Sequence, residues 1–160
     1  ASDVYKRQGF IFSDAEAQIV MPRVRDDIAF SLRRFKLPKQ EVNARVDEML
    51  ERFQLGDRAE NSPHTLSGGE KQMLALAAVL VIEPETIIAD EPTTLLDLRN
   101  RRRIIQELEG LEQQLIVVTH DLEMLNNFDR VLCINDSELV YDGAPADAIA
   151  FYRDLMERTP

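Results

Sequence analysis

The spacing of apolar residues along the chain predicts two kinds of secondary structure. Residues 86–89 and 115–119 are continuously apolar, which is typical of strands buried on both faces of a parallel sheet. Residues 9–12 form a shorter aromatic and β-branched run that predicts a third strand. Two further apolar runs flank Asn135-Asp136-Ser137, and this arrangement indicates a β-hairpin.

Helices are predicted between these strands because apolar residues there recur at three- and four-residue intervals. Pro38 opens the clearest of them, in which Val42, Val46 and Met49 recur at helical spacing before Gly56 ends it. The other predicted helices span residues 24–35, 71–82, 99–111 and 146–156, with a short one that runs through Asn126. The alternation of strands and helices predicts an α/β fold with a largely parallel sheet, followed by a hairpin and a C-terminal helix.

The amino-acid composition excludes some classes of protein and makes others unfavourable. The chain has 160 residues, 44% of them hydrophobic and 30% charged, which excludes collagen-like and disordered sequences. Its net charge of −10 disfavours nucleic acid as a partner, because phosphate binding needs a surface rich in Lys and Arg. The longest uninterrupted apolar stretch, residues 73–82, falls short of the roughly 20 residues that cross a bilayer.

Polar residues follow two predicted strands directly. Asp90 and Glu91 end one apolar run, and His120 follows the next. Ligands bind at the carboxyl ends of strands in open α/β sheets, so these side chains are candidates for one crevice. A carboxylate there can hold Mg²⁺, and a second can polarise an attacking water. The alternative is that Asp90 and Glu91 only cap a helix.

Ser67-Gly68-Gly69-Glu70 stands immediately before the Leu- and Ala-rich helix. Glycines allow close approach of an anion to the backbone, and a helix N-terminus carries partial positive charge. The same four residues also have the spacing of a capping box, in which Ser67 and Glu70 satisfy each other's backbone N–H groups.

Together these motifs resemble those of ATP-binding-cassette (ABC) ATPases. Residues 66–72, LSGGEKQ, are similar to the family's signature motif, and residues 87–93, IIADEPT, resemble its Walker B strand and catalytic glutamate. Residues 94–97 look like the D-loop, and residues 118–121 look like the switch loop. The resemblance implies a P-loop NTPase-like nucleotide-binding domain that uses ATP and Mg²⁺.

The resemblance also implies roles for individual residues. Asp90 would orient Mg²⁺, Glu91 would be the general base, and His120 would contact the γ-phosphate. Asp97 would communicate across a dimer. Nucleotide held by the opposite subunit would be bound by Ser67, Gly68, Gly69 and Glu70, so a second ABC ATPase subunit is expected as a head-to-tail partner.

Two features depart from the family's pattern. No glycine in the chain begins the sequence GxxxxGK[ST] of the Walker A loop, and Ser13 stands where relatives carry the Q-loop glutamine. We therefore expect a partial ABC domain at 9–160 that lacks its N-terminal strands and is inactive alone. Its helical subdomain would span about 22–82 and its remaining core about 83–160. Residues 1–8 are interpreted as a non-native junction or a divergent start.

Residues 12–22, 93–101 and 141–143 are most similar to ATPase subunits of energy-coupling-factor importers of the biotin or cobalt type. This similarity implies an integral membrane transporter subunit as partner and a peripheral location on the cytoplasmic face of the membrane. The alternatives are a non-transport ABC ATPase of DNA repair or the ribosome and a catalytically incompetent fragment.

Overall fold

The computed structural model describes residues 8–158 and divides the chain into two compact units, residues 1–118 and residues 119–160. The predicted junction at residues 1–8 lies outside the described residues except for Gln8, which begins the first strand. The subdomain boundaries expected from the sequence stay a prediction.

A three-stranded parallel sheet forms the centre of the first unit. Its strands β1 (Gln8–Ile11), β2 (Thr86–Asp90) and β3 (Gln114–Val118) lie in that order. The register places Gly9, Ile87 and Leu115 in one row across the sheet. All three predicted strands are therefore present, and the predicted parallel direction is confirmed.

Four α-helices accompany this sheet within the described residues. They are α1 (Val24–Leu32), α2 (Lys39–Arg52), α3 (Gly68–Leu80) and α4 (Leu98–Glu109). The helix predicted over residues 24–35 ends earlier, at Leu32, and continues as a 3₁₀ turn over Arg33–Phe35. Lys36 then takes a left-handed conformation with φ 52°, which terminates the helical backbone before Pro38.

Helix α3 supplies much of the core of this unit. Nine of its residues are buried, and Leu74 and Ala77 have no exposed surface. A Cβ atom at Gly9 would overlap the Val79 side chain, so a glycine at this position lets α3 lie directly against β1. The α/β layering follows from this contact between a helix that is apolar on most sides and one face of the sheet.

The opposite face of the sheet corrects the prediction of strands buried on both sides. Ile116 and Val118 of β3 are 46% and 57% exposed, and Phe10 of β1 is 43% exposed. Continuous apolar strands are buried on both faces only where both faces are covered. Among the described residues, α3 packs against one face, and the face carrying these side chains is open to solvent.

The second unit contains an antiparallel hairpin and a helix. Strands β4 (Val131–Asn135) and β5 (Glu138–Gly143) are joined by Asp136 and Ser137, both at positive φ, as a type I′ turn requires. Helix α5 (Pro145–Arg158) packs on them, burying Cys133 against Ala148. The predicted hairpin and C-terminal helix are thus present.

The short helix predicted to run through Asn126 is a 3₁₀ helix at Met124–Asn127. Its neighbouring backbone bonds span three residues, such as that from the Met124 N–H to the Asp121 carbonyl. The Asn126 side-chain amide also donates to the Glu123 carbonyl, at 3.0 Å. Such a side-chain bond competes with the α-helical ladder, which explains the tighter turn.

The central position of α3 leads to a stability prediction. Leu74→Ala should lower the free energy of unfolding by about 2–5 kcal/mol, because it leaves a cavity in a fully buried site. Leu98→Ala, at a side chain that is 57% exposed, should cost less than about 0.5 kcal/mol. Urea unfolding followed by circular dichroism measures both values. Equal losses would contradict the assignment of α3 to the core.

Candidate functional site

The two adjacent carboxylates lie where β2 leaves the sheet. Asp90 is the last residue of β2 and is exposed, and Glu91 follows in a left-handed conformation with φ 48°. The Glu91 N–H donates to the Val118 carbonyl at the end of β3, at 2.8 Å. A non-glycine residue at positive φ is uncommon and persists where its surroundings fix it. The hydrogen bond to Val118 is one of the contacts that hold the Glu91 backbone in this conformation.

The Glu91 carboxylate is also held from its own turn. Thr94 donates its hydroxyl to Glu91 Oε2 at 2.9 Å, and the Thr94 N–H lies 3.3 Å from the Glu91 carbonyl oxygen. Thr93 between them is buried, which anchors the turn to the core. The arrangement orients Glu91 as a hydrogen-bond acceptor at the carboxyl end of the sheet.

Helix α3 begins with a capping box, which was one of the two interpretations of the sequence at residues 67–70. Ser67 Oγ accepts the Glu70 N–H at 3.3 Å, and Glu70 Oε2 accepts the Ser67 N–H at 2.8 Å. This bond to the Ser67 amide is the main cause that lowers the pKa of Glu70. Ser67 and Gly68 are nonetheless exposed. The cap therefore orders the N-terminus of α3 at the surface, where an anion can reach it.

A second helix N-terminus lies directly beside the first. Asp97 caps α4, since its Oδ1 accepts the Asn100 N–H at 2.8 Å and its Oδ2 accepts the Asn100 side-chain amide at 2.9 Å. A Cβ atom at Gly69 would overlap that same Asn100 side chain. The absence of a side chain at Gly69 thus lets the signature segment pack against the group that holds Asp97.

The loop after β1 is fastened at several points. Gln18 Oε1 accepts the Phe12 N–H at 2.9 Å, and its Nε2 donates to the Phe10 carbonyl at 3.0 Å. Gln72 of α3 donates to the Phe12 carbonyl at 3.3 Å. Lys71 lies 2.9 Å from Glu16 and, by its hydrogen bond, lowers the pKa of that carboxyl. Ser13, the predicted Q-loop position, is half-buried within this fastened loop.

His120 belongs to the second unit and is exposed. Within that unit, Thr119 Oγ1 accepts the Asp121 N–H at 3.0 Å, and Asp121 Oδ1 accepts the Glu123 N–H at 3.1 Å. These bonds shape the turn that carries His120. Its predicted contact with the γ-phosphate stays a prediction.

The donor set fits Mg²⁺ bound together with a nucleotide. Residues 8–158 hold no group of three or more His, Cys, Asp or Glu side chains that could form a complete metal site. Mg²⁺ at nucleotide sites usually takes one or two carboxylates and completes its shell with phosphate oxygens and waters. Asp90 supplies an exposed carboxylate of this kind.

Three residues that support the site were given no individual role from the sequence: Thr94, Asn100 and Gln72. Thr94 is the first residue of the segment that resembles the D-loop, and Asn100 lies three positions after that segment, but their hydrogen-bond partners become visible only in the folded chain. Gln72 did carry a signal, because it is a buried polar residue, 2% exposed, in a helix of mostly Leu and Ala. A buried polar side chain usually has a hydrogen-bond partner.

Comparison with known proteins assigns this arrangement to a family. A family model described as "ABC transporter" matches residues 2–94. The chain is 50% identical, over 153 residues, to an ABC transporter ATP-binding protein of Deinococcus radiodurans, and the match covers 96% of the chain and 68% of the relative. The chain therefore belongs to the ATP-binding family of ABC transporters, and the resemblance inferred from its motifs is confirmed.

Two further matches are to proteins whose names state a transporter. It is 46% identical, over 147 residues, to the biotin transport ATP-binding protein BioM of Rhizobium etli, with 92% of the chain and 66% of the relative covered. The solved structure of cbiO1 from Clostridium perfringens, part of the ABC transporter complex cbiONQ, aligns with a TM-score of 0.83 at 30% identity. That alignment covers 99% of this chain and 66% of cbiO1, which confirms the α/β fold class. The chain spans about two thirds of the length of these relatives.

The packing of Gly69 on Asn100 leads to a prediction about the two signature glycines. Replacing a helical glycine by alanine normally stabilises a helix by about 0.5–1 kcal/mol. Gly68→Ala should do so, because nothing lies within 4 Å of its added Cβ. Gly69→Ala should destabilise the fold, because it displaces Asn100. Urea unfolding measures both effects.

A double-mutant cycle tests the cause of this difference. In an Asn100→Ala background the overlap is removed, so Gly69→Ala should become stabilising. Destabilisation by Gly69→Ala that persists in this background would show that Asn100 is not the obstacle.

The lowered pKa of Glu70 predicts how the cap responds to pH. The folded-state pKa lies below the ordinary value of 4.5, so the bond stabilises the fold above that value. This stabilisation is lost as pH falls through the lowered pKa. Glu70→Gln keeps an acceptor oxygen but does not titrate. The wild type should therefore lose more stability than Glu70→Gln between about pH 5 and pH 3.

Unfolding curves at several pH values check the effect. Glu48→Gln, at an exposed residue of α2, controls for the loss of one negative charge. If the wild type and Glu70→Gln lose stability in parallel, the Glu70 carboxylate does not contribute through the cap.

Proposed function

We propose that the chain forms the catalytic part of an ATP-binding and hydrolysing subunit that works as a head-to-tail dimer and powers a membrane importer. The observation that carries the proposal is the fixed geometry of Glu91. Its backbone is bonded to β3 and its carboxylate to Thr94, directly after Asp90, at the carboxyl end of a parallel sheet. This is where α/β sheets bind their ligands.

In the proposed reaction Glu91 accepts a proton from the water that attacks the γ-phosphate. A general base must lie within hydrogen-bond reach of that water and keep a free acceptor direction, and the hydroxyl of Thr94 restricts the rotation of the carboxylate. Asp90 would hold Mg²⁺, which when bound neutralises charge on the phosphate oxygens. His120 would donate a hydrogen bond to the γ-phosphate.

The surfaces available to a second subunit support the dimer. Ser67 and Gly68 are exposed at the start of α3, and Asp97 is exposed at the start of α4. Leu95 and Leu98, on either side of Asp97, are 70% and 57% exposed. Exposed apolar side chains around a polar site are typical of an interaction surface. The partner's nucleotide would be bound by Ser67, Gly68 and Gly69, with Glu70 keeping this segment in place.

The imported substrate is proposed to be a vitamin or a metal ion, as in energy-coupling-factor importers. The names of the relatives support this choice, since one is a biotin transport protein and another is part of the complex cbiONQ. The membrane subunit would dock its coupling helices on the helical region of residues 24–53. Within residues 8–158 no helix has the length and apolar character of a membrane span. Because the named relatives are parts of transporters, we propose peripheral attachment to the cytoplasmic face through the membrane subunit.

Glu91→Gln in the native protein tests the catalytic part of the proposal. ATP turnover should fall by about 10²–10⁴-fold, because the amide cannot accept the proton. ATP binding should be retained, since the side chain keeps its size and its bond to Thr94. Phosphate release and nucleotide binding are measured separately, with Glu48→Gln as the control. Unchanged turnover would remove Glu91 as the base.

The importer part is tested by isolating the protein from its own membranes. Purification in mild detergent should recover an integral membrane subunit together with it. Recovery of DNA or ribosomal components in place of a membrane protein would favour the non-transport alternative. The 160-residue chain by itself is expected to bind ATP weakly, because the GxxxxGK[ST] loop is not among its residues.

A further inference from the structure

The turn between α1 and α2 concentrates positive charge in an acidic protein. Residues 33–39, RRFKLPK, contain four cations and no carboxylate, whereas the whole chain has a net charge of −10. Arg33, Arg34, Lys36 and Lys39 are all exposed. We call these four residues the basic turn.

Among residues 8–158, the acids next to the basic turn are paired with other cations. Within the described part of the chain, no carboxylate oxygen forms an ion pair with any of the four. The nearby carboxylate of Asp26 is bound to Arg23 at 2.7 Å, and Glu41 is bound to Arg45 at 2.9 Å. The turn therefore presents its positive charge to an external partner.

Aromatic and aliphatic side chains lie next to these cations. The Arg33 guanidinium stacks on Phe30 at 5.4 Å from the ring centre, and Arg34 stacks on Phe35 at 5.0 Å. Phe30 is itself 42% exposed. Arg33, Lys36 and Lys39 also border an apolar groove of about 460 Å³, whose walls include Met21, Leu37 and Val42. Cations next to apolar surface suit an interface between water and lipid, where the charge meets headgroups and the apolar stem meets the acyl boundary.

We infer that the basic turn binds the anionic phospholipid headgroups of the bilayer beside the importer. The inference rests on the proposed function, which places the subunit at the cytoplasmic face of a membrane, and it leaves the parts of residues 24–53 outside the basic turn to the coupling helices. Each Lys or Arg near an anionic membrane surface strengthens binding by about fivefold. Four cations give weak, reversible attachment, which suits a subunit that is held mainly by a protein partner.

The shape of a bilayer explains why an acidic protein can bind one. A planar surface contacts one side of the molecule, and at physiological salt charges more than about 8–10 Å from it are largely screened. Only the basic turn has to approach the headgroups. A nucleic acid of useful affinity would need phosphate contacts along a longer basic path, and the net charge of −10 opposes it.

Vesicle sedimentation with the 160-residue chain tests the inference. The chain should bind phosphatidylcholine vesicles that contain phosphatidylglycerol, and binding should weaken as salt is raised. Arg33→Gln with Arg34→Gln should lower the partition coefficient by about 25-fold, if each cation accounts for about fivefold. Arg99→Gln with Arg102→Gln removes the same charge from exposed positions of α4. If only the basic turn approaches the headgroups, this control pair should change the partition coefficient by no more than about twofold.

Lys36→Gln with Lys39→Gln removes the other two cations of the basic turn and should lower the partition coefficient by a similar factor. This pair replaces the arginine pair if circular dichroism shows that the arginine pair does not fold. Equal binding to neutral and anionic vesicles would overturn the inference, as would equal losses for the basic-turn and α4 pairs. Binding of single-stranded DNA in place of vesicles would overturn it too. The vesicles contain no protein, so failure here leaves recovery of a membrane subunit as a separate test of the proposed function.

Discussion

The burial of α3 is the constraint on which the first unit depends. The helix lies against β1 at Gly9, where a Cβ atom would overlap Val79, and against the start of α4 at Gly69, where a Cβ would overlap Asn100. Gln72 joins the same helix to the end of β1. A closely packed interior tolerates little relative displacement. The signature segment, the cap of α4 and the loop after β1 are therefore positioned by one buried element.

The sequence predicted the order and direction of the elements well, because each carries a local signal. The alternation of strands and helices, Pro38 before α2 and the turn at Asp136-Ser137 are all determined by neighbouring residues. Exposure was predicted poorly. Ile116 and Val118 have the sequence of a buried strand yet lie on an open face, because apolar periodicity reports the character of a strand and not what covers it.

In the candidate site, too, the residues with a local signal were predicted and those that depend on tertiary contacts were not. Asp90, Glu91, Ser67 and Asp97 were identified from motifs, and the capping box at Ser67 was one of two interpretations that the spacing allowed. The residues that orient them were missed. Asn100 holds Asp97 and meets Gly69, which lies 31 positions earlier in the chain, and no local pattern predicts such a contact. Hydrogen-bond partners of this kind are a property of tertiary packing.

The net charge of the whole chain and the charge of a single turn also lead to different conclusions. The net charge of −10 is sound evidence against a partner that wraps a large part of the surface. It says little about a partner that touches one turn, because screening confines each charge to its surroundings within about 8–10 Å. Within residues 8–158, the neighbouring acids Asp26 and Glu41 are bound to Arg23 and Arg45, and no ion pair involves the four cations of residues 33–39. A net charge of −10 therefore does not by itself oppose the attraction of one basic turn to an anionic surface.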